Sequence, residues 1–367
     1  MMTSGASVLL LLCRVYYTYL KLYDDCNNMS TLTKTILTID GGGMRGIIPA
    51  MFLHYLHSKL AEHNPGKELH NYFDMIAGTS TGGLIALGLS TPLVATGQTS
   101  LPKYSTESLI KLYTQKGEKI FSKQGSKLRK RITPIFKAKY SHSYLSSLME
   151  ELYGEARMSQ AFLPVVITAF DAMRMQPHLF TSHPSPYNRY GQTDFYIKDA
   201  ARSTSAAPVY FSPAKVKSVG SHAMEYNMVD GGIYANNPSL LAVTEAKRLF
   251  PEAKKFRLVS IGTGISNEGY SHDEMNTWGA AQWLSLRRSM PILNIMMTAN
   301  SSMVDHSLKS MPEVDYLRFN VRLDPKRKAI DNVSSSFIQY LEKRSIAMIK
   351  ENKVEVEGLI KNLLKKV

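Results

Sequence analysis

The chain repeats one local pattern, in which a short apolar stretch ends at glycines and is followed by helical spacing of apolar residues. The apolar stretches are rich in β-branched residues and bounded by turn residues, as is typical of buried strands. Strands that alternate with helices predict an α/β fold, here a three-layer sandwich with a mostly parallel central sheet. Functional residues of such sheets lie at the carboxyl ends of the strands, where these glycines fall. Five stretches are predicted as strands: residues 34–40, 72–78, 163–170, 225–230 and 256–264.

Composition allows a large core, because 44% of the 367 residues are hydrophobic. Both cysteines, Cys13 and Cys26, lie near the N-terminus. The body of the chain therefore cannot hold a disulfide framework or a cysteine-based metal site.

The sequence predicts three regions. Residues 1–30 form an extension that either touches a membrane or is not native, with Met29 as the natural start. Their apolar run is too short and too interrupted by Arg14 and Lys21 to span a bilayer. Residues 31–325 form the main α/β domain, and residues 326–367 form a lysine-rich amphipathic helical region. We expect that last region to pack on the body, with a position on a membrane surface as the alternative.

The chain is basic, with a formal net charge of +14. Such a charge indicates attraction to phosphate, on nucleic acid or on an anionic membrane. Residues 122–139 carry seven basic side chains and no acidic one. This stretch is either a solvated loop or a patch that faces lipid phosphates. No helix-turn-helix, zinc or RNA-recognition motif accompanies the charge, so we do not expect a nucleic-acid partner.

Ser80 lies in a Gly-x-Ser-x-Gly turn, Gly78-Thr79-Ser80-Thr81-Gly82, between a predicted strand and a predicted helix. This arrangement is typical of a nucleophile elbow, a sharp turn that points the hydroxyl outward. The helix that follows directs its positive end at the serine, which favours an oxyanion.

A serine hydroxyl needs a base, and the sequence leaves two kinds of candidate. His272 and His306 are the histidines that follow Asp230, but neither lies in a glycine loop at a strand end. We interpret His178, which has apolar neighbours, as structural. Asp230 ends a predicted strand before Gly231-Gly232, although it could equally be a turn residue. A free aspartate has a pKa of about 3.9, and direct contact with serine in a water-shielded site would make it a stronger base.

The glycine loop at residues 41–45 could supply amide donors to a developing oxyanion. Gly41, Gly42 and Gly43 let backbone N–H groups turn inward at a helix start, and Met44 and Arg45 complete the loop. The same loop could cradle a phosphate, but it lacks the Gly-Lys-Ser/Thr ending of a P-loop. Arg45 would either add positive charge near the anion or anchor the loop through a salt bridge.

Four blocks in this order resemble the patatin-like phospholipases, the plant storage-protein lipases and their relatives: DGGGMRG, FDMIAGTSTGG, ARSTSAAPVYFSP and VDGGIYANNPSLLA. The resemblance implies a patatin-like fold and a lipid acyl hydrolase of phospholipase A or galactolipase type. It implies Ser80 as nucleophile, Asp230 as base, and an oxyanion hole from residues 41–45. It also implies no cofactor, no metal and no calcium requirement, and it places residues 203–208 beside the site as a structural element.

The expected partners are membrane phospholipids or galactolipids and an anionic membrane surface, and no protein partner is indicated. We expect a cytoplasmic, peripherally membrane-associated protein, and a secreted or vacuolar location stays open. Two alternatives remain at this point: a membrane- or phosphate-binding module with a vestigial site, and a Ser-His-Asp triad esterase.

Overall fold

A computed structural model describes residues 32–93, 101–122, 138–185, 194–221, 223–266, 269–285 and 290–366. The predicted extension at residues 1–30 lies outside the described residues, as does most of the basic stretch at residues 122–139.

A mixed sheet of eight strands runs through the molecule in the order β5-β6-β3-β2-β1-β7-β8, with β4 paired to β3. Neighbours are parallel from β3 through β2, β1 and β7 to β8, whereas β4 and β6 run antiparallel to β3 and β5 runs antiparallel to β6. The strands are β1 (Thr33–Ile39), β2 (Met75–Thr79), β3 (Val165–Asp171), β4 (Gln176–Thr181), β5 (Ala214–Lys217), β6 (Glu225–Asp230), β7 (Lys255–Ile261) and β8 (Val314–Phe319).

Helices surround the sheet and connect its strands. They are α1 (Ile47–Ala61), α2 (Thr81–Ser90), α3 (Thr106–Ile120), α4 (His142–Tyr153), α5 (Ile197–Thr204), α6 (Gly232–Ala235), α7 (Ser239–Leu249), α8 (His272–Met275), α9 (Ala280–Trp283), α10 (Pro291–Lys309), α11 (Ser335–Glu351) and α12 (Lys353–Leu364). None of the helices in the described ranges is both long and apolar enough to cross a bilayer.

Both faces of the sheet are buried, because successive side chains of a strand point to opposite faces. Ile36 of β1 packs in a cluster with residues of α7 and α10, whereas Leu37 packs in a larger cluster with residues of α1 to α5 and of α11 and α12. Strands covered on both sides read as continuous apolar runs, which explains why β1, β2, β3 and β7 are visible in the sequence. The predicted three-layer α/β fold with a mostly parallel sheet is confirmed.

Two strands end face to face at the same edge of β3. Strand β4 pairs with residues Val166 to Asp171 of β3 along one edge, so β2 and β6 share the other edge. They reach it from opposite directions, and they end at adjacent residues of β3, Thr168 and Ala169. The residues at and just beyond the carboxyl ends of β2 and β6 therefore meet.

The two C-terminal helices pack against the body of the molecule. Their apolar positions lie in the same cluster as Leu37 of the sheet, among them Leu341, Val356 and Leu363. The Ser345 hydroxyl donates a hydrogen bond of 3.1 Å to the carbonyl of Ile48 in α1. Most apolar side chains of α11 and α12 are thus covered by protein, although Ile346 and Val354 are exposed, and the boundary at residue 326 stays a prediction.

Candidate active site

Ser80 lies at a sharp turn between β2 and α2, in a backbone conformation that non-glycine residues seldom adopt. Its φ is 54° and its ψ is −122°, and the side chain is half-buried. The flanking glycines are required by close contacts. A Cβ on Gly78 would lie 2.3 Å from the Gly82 carbonyl oxygen, and a Cβ on Gly82 would lie 2.2 Å from the Ile39 carbonyl oxygen. The Gly-x-Ser-x-Gly spacing is therefore a packing requirement of a strained elbow.

Asp230 lies opposite Ser80 because of the convergence of β2 and β6. Thr79, the residue before Ser80, is level with Thr168 of β3, and Asp230 is level with Ala169. Both side chains line one cavity. The Ser80 hydroxyl lies close enough to the Asp230 carboxyl to lower its pKa through a hydrogen bond.

Burial is the dominant influence on the Asp230 carboxyl and raises its pKa to about 7. The hydrogen bonds from Ser80 and from the Gly232 N–H oppose that shift, the latter at 2.7 Å to Oδ1. A carboxyl with a pKa near neutrality is better matched to accepting a proton from an alcohol than a free aspartate is. The raised pKa is the physical property that would let an aspartate act as the base.

One segment fixes the backbone on both sides of the pair. Thr204, the last residue of α5, accepts a hydrogen bond of 2.8 Å from the Ser80 N–H through its hydroxyl. Two residues later, the carbonyl of Ala206 accepts the Asp230 N–H at 3.1 Å. Residues 203–208 therefore touch both candidate catalytic residues, and Ser205 and Pro208 line the cavity.

In the glycine loop, three of the five predicted amide donors are already engaged. The N–H of Gly41 donates to the Asn236 carbonyl at 3.0 Å, that of Met44 to Ile330 at 2.8 Å, and that of Arg45 to Gly42 at 3.2 Å. The N–H groups of Gly42 and Gly43 have no acceptor among the described residues, and both glycines line the cavity. Gly43 has a φ of 57°, which suits glycine. Gly42 and Gly43 are thus the members of the loop available to bind an anion.

Thr81 is a further amide donor that the sequence prediction omitted. It is the first residue of α2, so its N–H has no intrahelical acceptor, and it lines the same cavity. The elbow motif could have indicated it, because the residue after the nucleophile supplies an oxyanion donor in such turns.

Arg45 is buried and does not line the cavity. Burial lowers its pKa to about 10, and it forms no ion pair with any residue that the structure describes. The anchor of the loop is a different arginine. Arg318 of β8 makes two hydrogen bonds to the Asp40 carboxylate, at 2.9 and 2.6 Å. Asp40 precedes the glycines, so this buried pair ties the loop to the far strand of the sheet.

The cavity is mostly apolar. It has an empty volume of about 790 Å³, counting the part open to solvent, and its walls include Leu84, Ile120, Phe121, Phe211, Leu293 and Ile330. Ile330 belongs to the C-terminal region, in which the sequence predicts no site residue, yet it both lines the cavity and accepts the Met44 N–H through its carbonyl.

The three histidines considered in the sequence do not line the cavity. His272 and His306 are exposed on α8 and α10, and neither lines the cavity. His178 is packed edge-on against the rings of Phe180 and Phe195, and burial lowers its pKa to about 4. Across the described ranges, histidine, cysteine and acidic side chains form no group of three that could hold a metal ion.

Comparisons with known proteins agree with one another and cover most of the chain. A family model described as patatin-like phospholipase matches residues 37–243. Patatin-like protein 2 of Arabidopsis thaliana is 36% identical over 311 residues, which cover 77% of this chain and 74% of that protein. Patatin-like protein 2 of Oryza sativa subsp. indica is 32% identical over 352 residues, covering 88% of this chain and 85% of that protein.

One similar protein, from Solanum tuberosum, has a name that describes it as inactive. It is named probable inactive patatin-3-Kuras 1, and it is 35% identical over 295 residues, covering 76% of this chain and 74% of that protein. Similarity of this degree shows ancestry and a lipid acyl hydrolase type of function at the level of the family. The chain therefore belongs to the patatin-like phospholipase family.

Proposed function

We propose that this protein hydrolyses fatty acyl esters of membrane lipids, as a calcium-independent lipid acyl hydrolase of phospholipase A or galactolipase type. In this proposal Ser80 is the nucleophile, Asp230 is the base, and the N–H groups of Gly42, Gly43 and Thr81 bind the oxyanion. The observation that carries the proposal is the meeting of the ends of β2 and β6. It puts a strained serine and a buried carboxyl of raised pKa at the wall of one apolar cavity.

The proposed reaction has two halves. The Ser80 oxygen attacks the ester carbonyl carbon while Asp230 accepts the hydroxyl proton, and the negative charge moves to the carbonyl oxygen. The C–O bond to the alcohol breaks as Asp230 returns the proton to the leaving alkoxide, which leaves an acyl ester on Ser80. Water, deprotonated by Asp230, then attacks this ester. Collapse breaks the bond to Ser80, Ser80 is reprotonated, and the fatty acid is released.

The cavity supports an acyl chain as the group held next to the serine. A hydrocarbon chain gains free energy on leaving water for apolar walls, at about 0.8 kcal/mol per buried CH₂. Since few polar groups line the walls, the lipid headgroup would lie toward the mouth of the cavity.

The decisive experiment compares the protein with its Ser80→Ala and Asp230→Asn variants on a short-chain nitrophenyl ester and on mixed phospholipid and galactolipid vesicles. We expect each variant to lower kcat/KM by about 10³-fold or more while keeping the wild-type circular dichroism. Asp199→Asn is a matched control, because burial also raises the pKa of Asp199, to about 6, and Asp199 does not line this cavity.

Substantial activity of purified Asp230→Asn would refute the pair. The triad alternative predicts instead that activity falls when His272 or His306 is replaced. A wild-type protein that binds vesicles but releases no fatty acid would support the vestigial-site alternative.

Calcium independence has its own test. The nucleophile, the base and the oxyanion donors of the proposed mechanism all come from the chain, so hydrolysis of the short-chain ester should survive a chelator. Loss of activity that added calcium restores would contradict this mechanism.

A further inference from the structure

A cluster of aromatic side chains lies on the surface between β7 and α10. The ring centroids of Tyr270 and Trp278 are 4.9 Å apart, and those of Trp278 and Trp283 are 5.3 Å apart. We call these three residues the aromatic rim. The three side chains are partly exposed, and the short helices α8 and α9, which flank Trp278, have no buried residue. The chain contains two tryptophans, and both are in this rim.

The aromatic rim lies close to the cavity, because α9, which carries Trp283, contacts α10. Leu293 and Met297 face inward and line the cavity. On the outer side of the same helix, Ile295 and Met296 are 37% and 43% exposed, and Leu284, just after α9, is 53% exposed. Exposed apolar side chains that lie together are unusual for a surface that faces only water.

A basic segment leads to the same cavity wall. Residues 322–328 carry four basic side chains, Arg322, Lys326, Arg327 and Lys328, and lead directly to Ile330 in the cavity wall. None of the four forms an ion pair with a described residue. Lys328 Nζ lies 5.4 Å from the centre of the Tyr270 ring, which joins the basic segment to the aromatic rim.

Acidic side chains also lie near this surface. Asp324 accepts the Lys326 backbone N–H, and Asp273 and Glu274 lie in the first turn of α8. The four basic side chains and these three acidic ones leave the face with a small net positive charge.

We propose that this face, formed by the aromatic rim, the outer side of α10 and the basic segment, docks on an anionic lipid surface. Tryptophan and tyrosine favour the boundary between headgroups and acyl chains. Lysine and arginine are attracted to anionic headgroups in the same layer. With this face on the lipid, the cavity mouth opens toward acyl chains without passage through water. The purpose of the docking rests on the proposed function, but the docking itself does not depend on hydrolysis.

The two tryptophans make the test direct, since the intrinsic fluorescence of the full chain reports on this face. We expect phosphatidylcholine vesicles that contain phosphatidylserine to shift the emission to the blue and to shield it from aqueous acrylamide. Phospholipids with brominated acyl chains should quench it. Phosphatidylcholine alone should bind more weakly, and added salt should weaken the binding to anionic vesicles.

Two charge-reversal variants separate this face from the overall charge. Lys326→Glu/Arg327→Glu should weaken co-sedimentation with phosphatidylserine vesicles by roughly tenfold or more. The second variant, Lys254→Glu/Lys255→Glu, changes the charge equally but at the amino end of β7, the end of that strand away from the site. It should bind nearly as wild type does. Trp283→Ala should weaken binding to both kinds of vesicle.

Several results would overturn the docking face. They are equal loss of binding in both charge variants, vesicle binding without any change in tryptophan quenching, and no binding at all. Concentration-dependent dimerisation that shields the tryptophans would show that a second copy covers the face. Failure of the proposed function would be seen separately, as a wild-type protein that does not hydrolyse a water-soluble ester. On that ester, Trp283→Ala and Lys326→Glu/Arg327→Glu should match the wild type.

Discussion

Asp40 and Asp230 are two buried carboxyls near the same glycine loop, and they differ in their partners. Asp40 is held by two hydrogen bonds from Arg318. Asp230 accepts the Gly232 N–H, and no cation lowers its pKa. Burial raises the pKa of both carboxyls, but at Asp40 the charge and hydrogen bonds of Arg318 oppose that shift, whereas at Asp230 only uncharged donors do. This difference suits Asp40 to a structural role and Asp230 to proton transfer.

The first prediction concerns pH. Asp230 must be ionised to act as a base, and burial raises its pKa to about 7. We therefore expect kcat/KM for a short-chain ester to rise about tenfold per pH unit below pH 7 and to level above it. A profile already level at pH 5 would mean that the base titrates like an ordinary carboxyl.

The second prediction concerns stability. A carboxyl whose folded pKa is raised binds protons more readily in the folded state, so it contributes stability that is lost as pH rises through the folded value. Asp230→Asn cannot ionise and keeps an acceptor for the Gly232 N–H. Its stability advantage over the wild type should therefore grow between about pH 4 and pH 7, by up to about 1.4 kcal/mol per unit, and then stay constant. Denaturant unfolding at pH 5 and pH 8 measures this, and a constant difference would contradict it.

At the scale of elements, the elbow depends on how closely β2, α2 and the end of β1 approach one another. Only glycine fits at Gly82, where a Cβ would lie 2.2 Å from the Ile39 carbonyl oxygen. Because Ile39 immediately precedes Asp40 and the glycine loop, displacement there would move Ser80 relative to its predicted oxyanion donors.

The third prediction follows from this contact. Gly82→Ala should lower the free energy of unfolding by a few kcal/mol and abolish ester hydrolysis. Gly358→Ala is the matched control, because a Cβ at Gly358 in α12 meets nothing within 4 Å. That change should raise stability by about 0.5–1 kcal/mol. Thermal unfolding and ester hydrolysis of the two variants distinguish a local clash from a general sensitivity to glycine replacement.

The sequence predicts some elements better than others, for physical reasons. The sequence predicts five of the strands, because each is covered on both faces or bounded by glycines: β1, β2, β3, β6 and β7. The sequence does not predict β8, because VDYLRF is half-buried and carries two charges. It does not predict β4 either, because a proline occupies the second position of that strand. Nor does the sequence reveal that β6 runs antiparallel to β3, because strand direction depends on long-range pairing.

The same limits apply to the candidate site. Ser80, Asp230 and the glycine loop are local motifs, and the structure brings them to one cavity. Thr204, Arg318 and Ile330 lie far away in the chain, and tertiary contacts alone give them their positions. The oxyanion role of residues 41–45 stays a prediction.

At the scale of the whole molecule, the C-terminal region holds the cavity wall in place. Asp331 accepts a hydrogen bond of 2.7 Å from the Tyr140 hydroxyl and pairs with Lys139. Its neighbour Ile330 accepts the Met44 N–H. The segment thus connects α11, the start of α4 and the glycine loop.

The fourth prediction tests that connection. Asp331→Ala should lower kcat/KM roughly tenfold by loosening Ile330 and the glycine loop, because small displacements of oxyanion donors are costly. Asp315→Ala, which removes an ion pair with Arg257 on the outer strands, should leave activity unchanged. Equal activity of both variants would show that the Asp331 contacts do not position the loop.

The placement of Ile330 has a consequence for how such enzymes diverge. The stretch matched by the family model ends at residue 243, whereas this wall of the cavity is built almost ninety residues later. Mutations in the tail of the chain can therefore reshape the space for the substrate while the reacting groups stay untouched. Differences in preferred chain length between relatives should then track the tail sequence better than the motifs by which the family is defined.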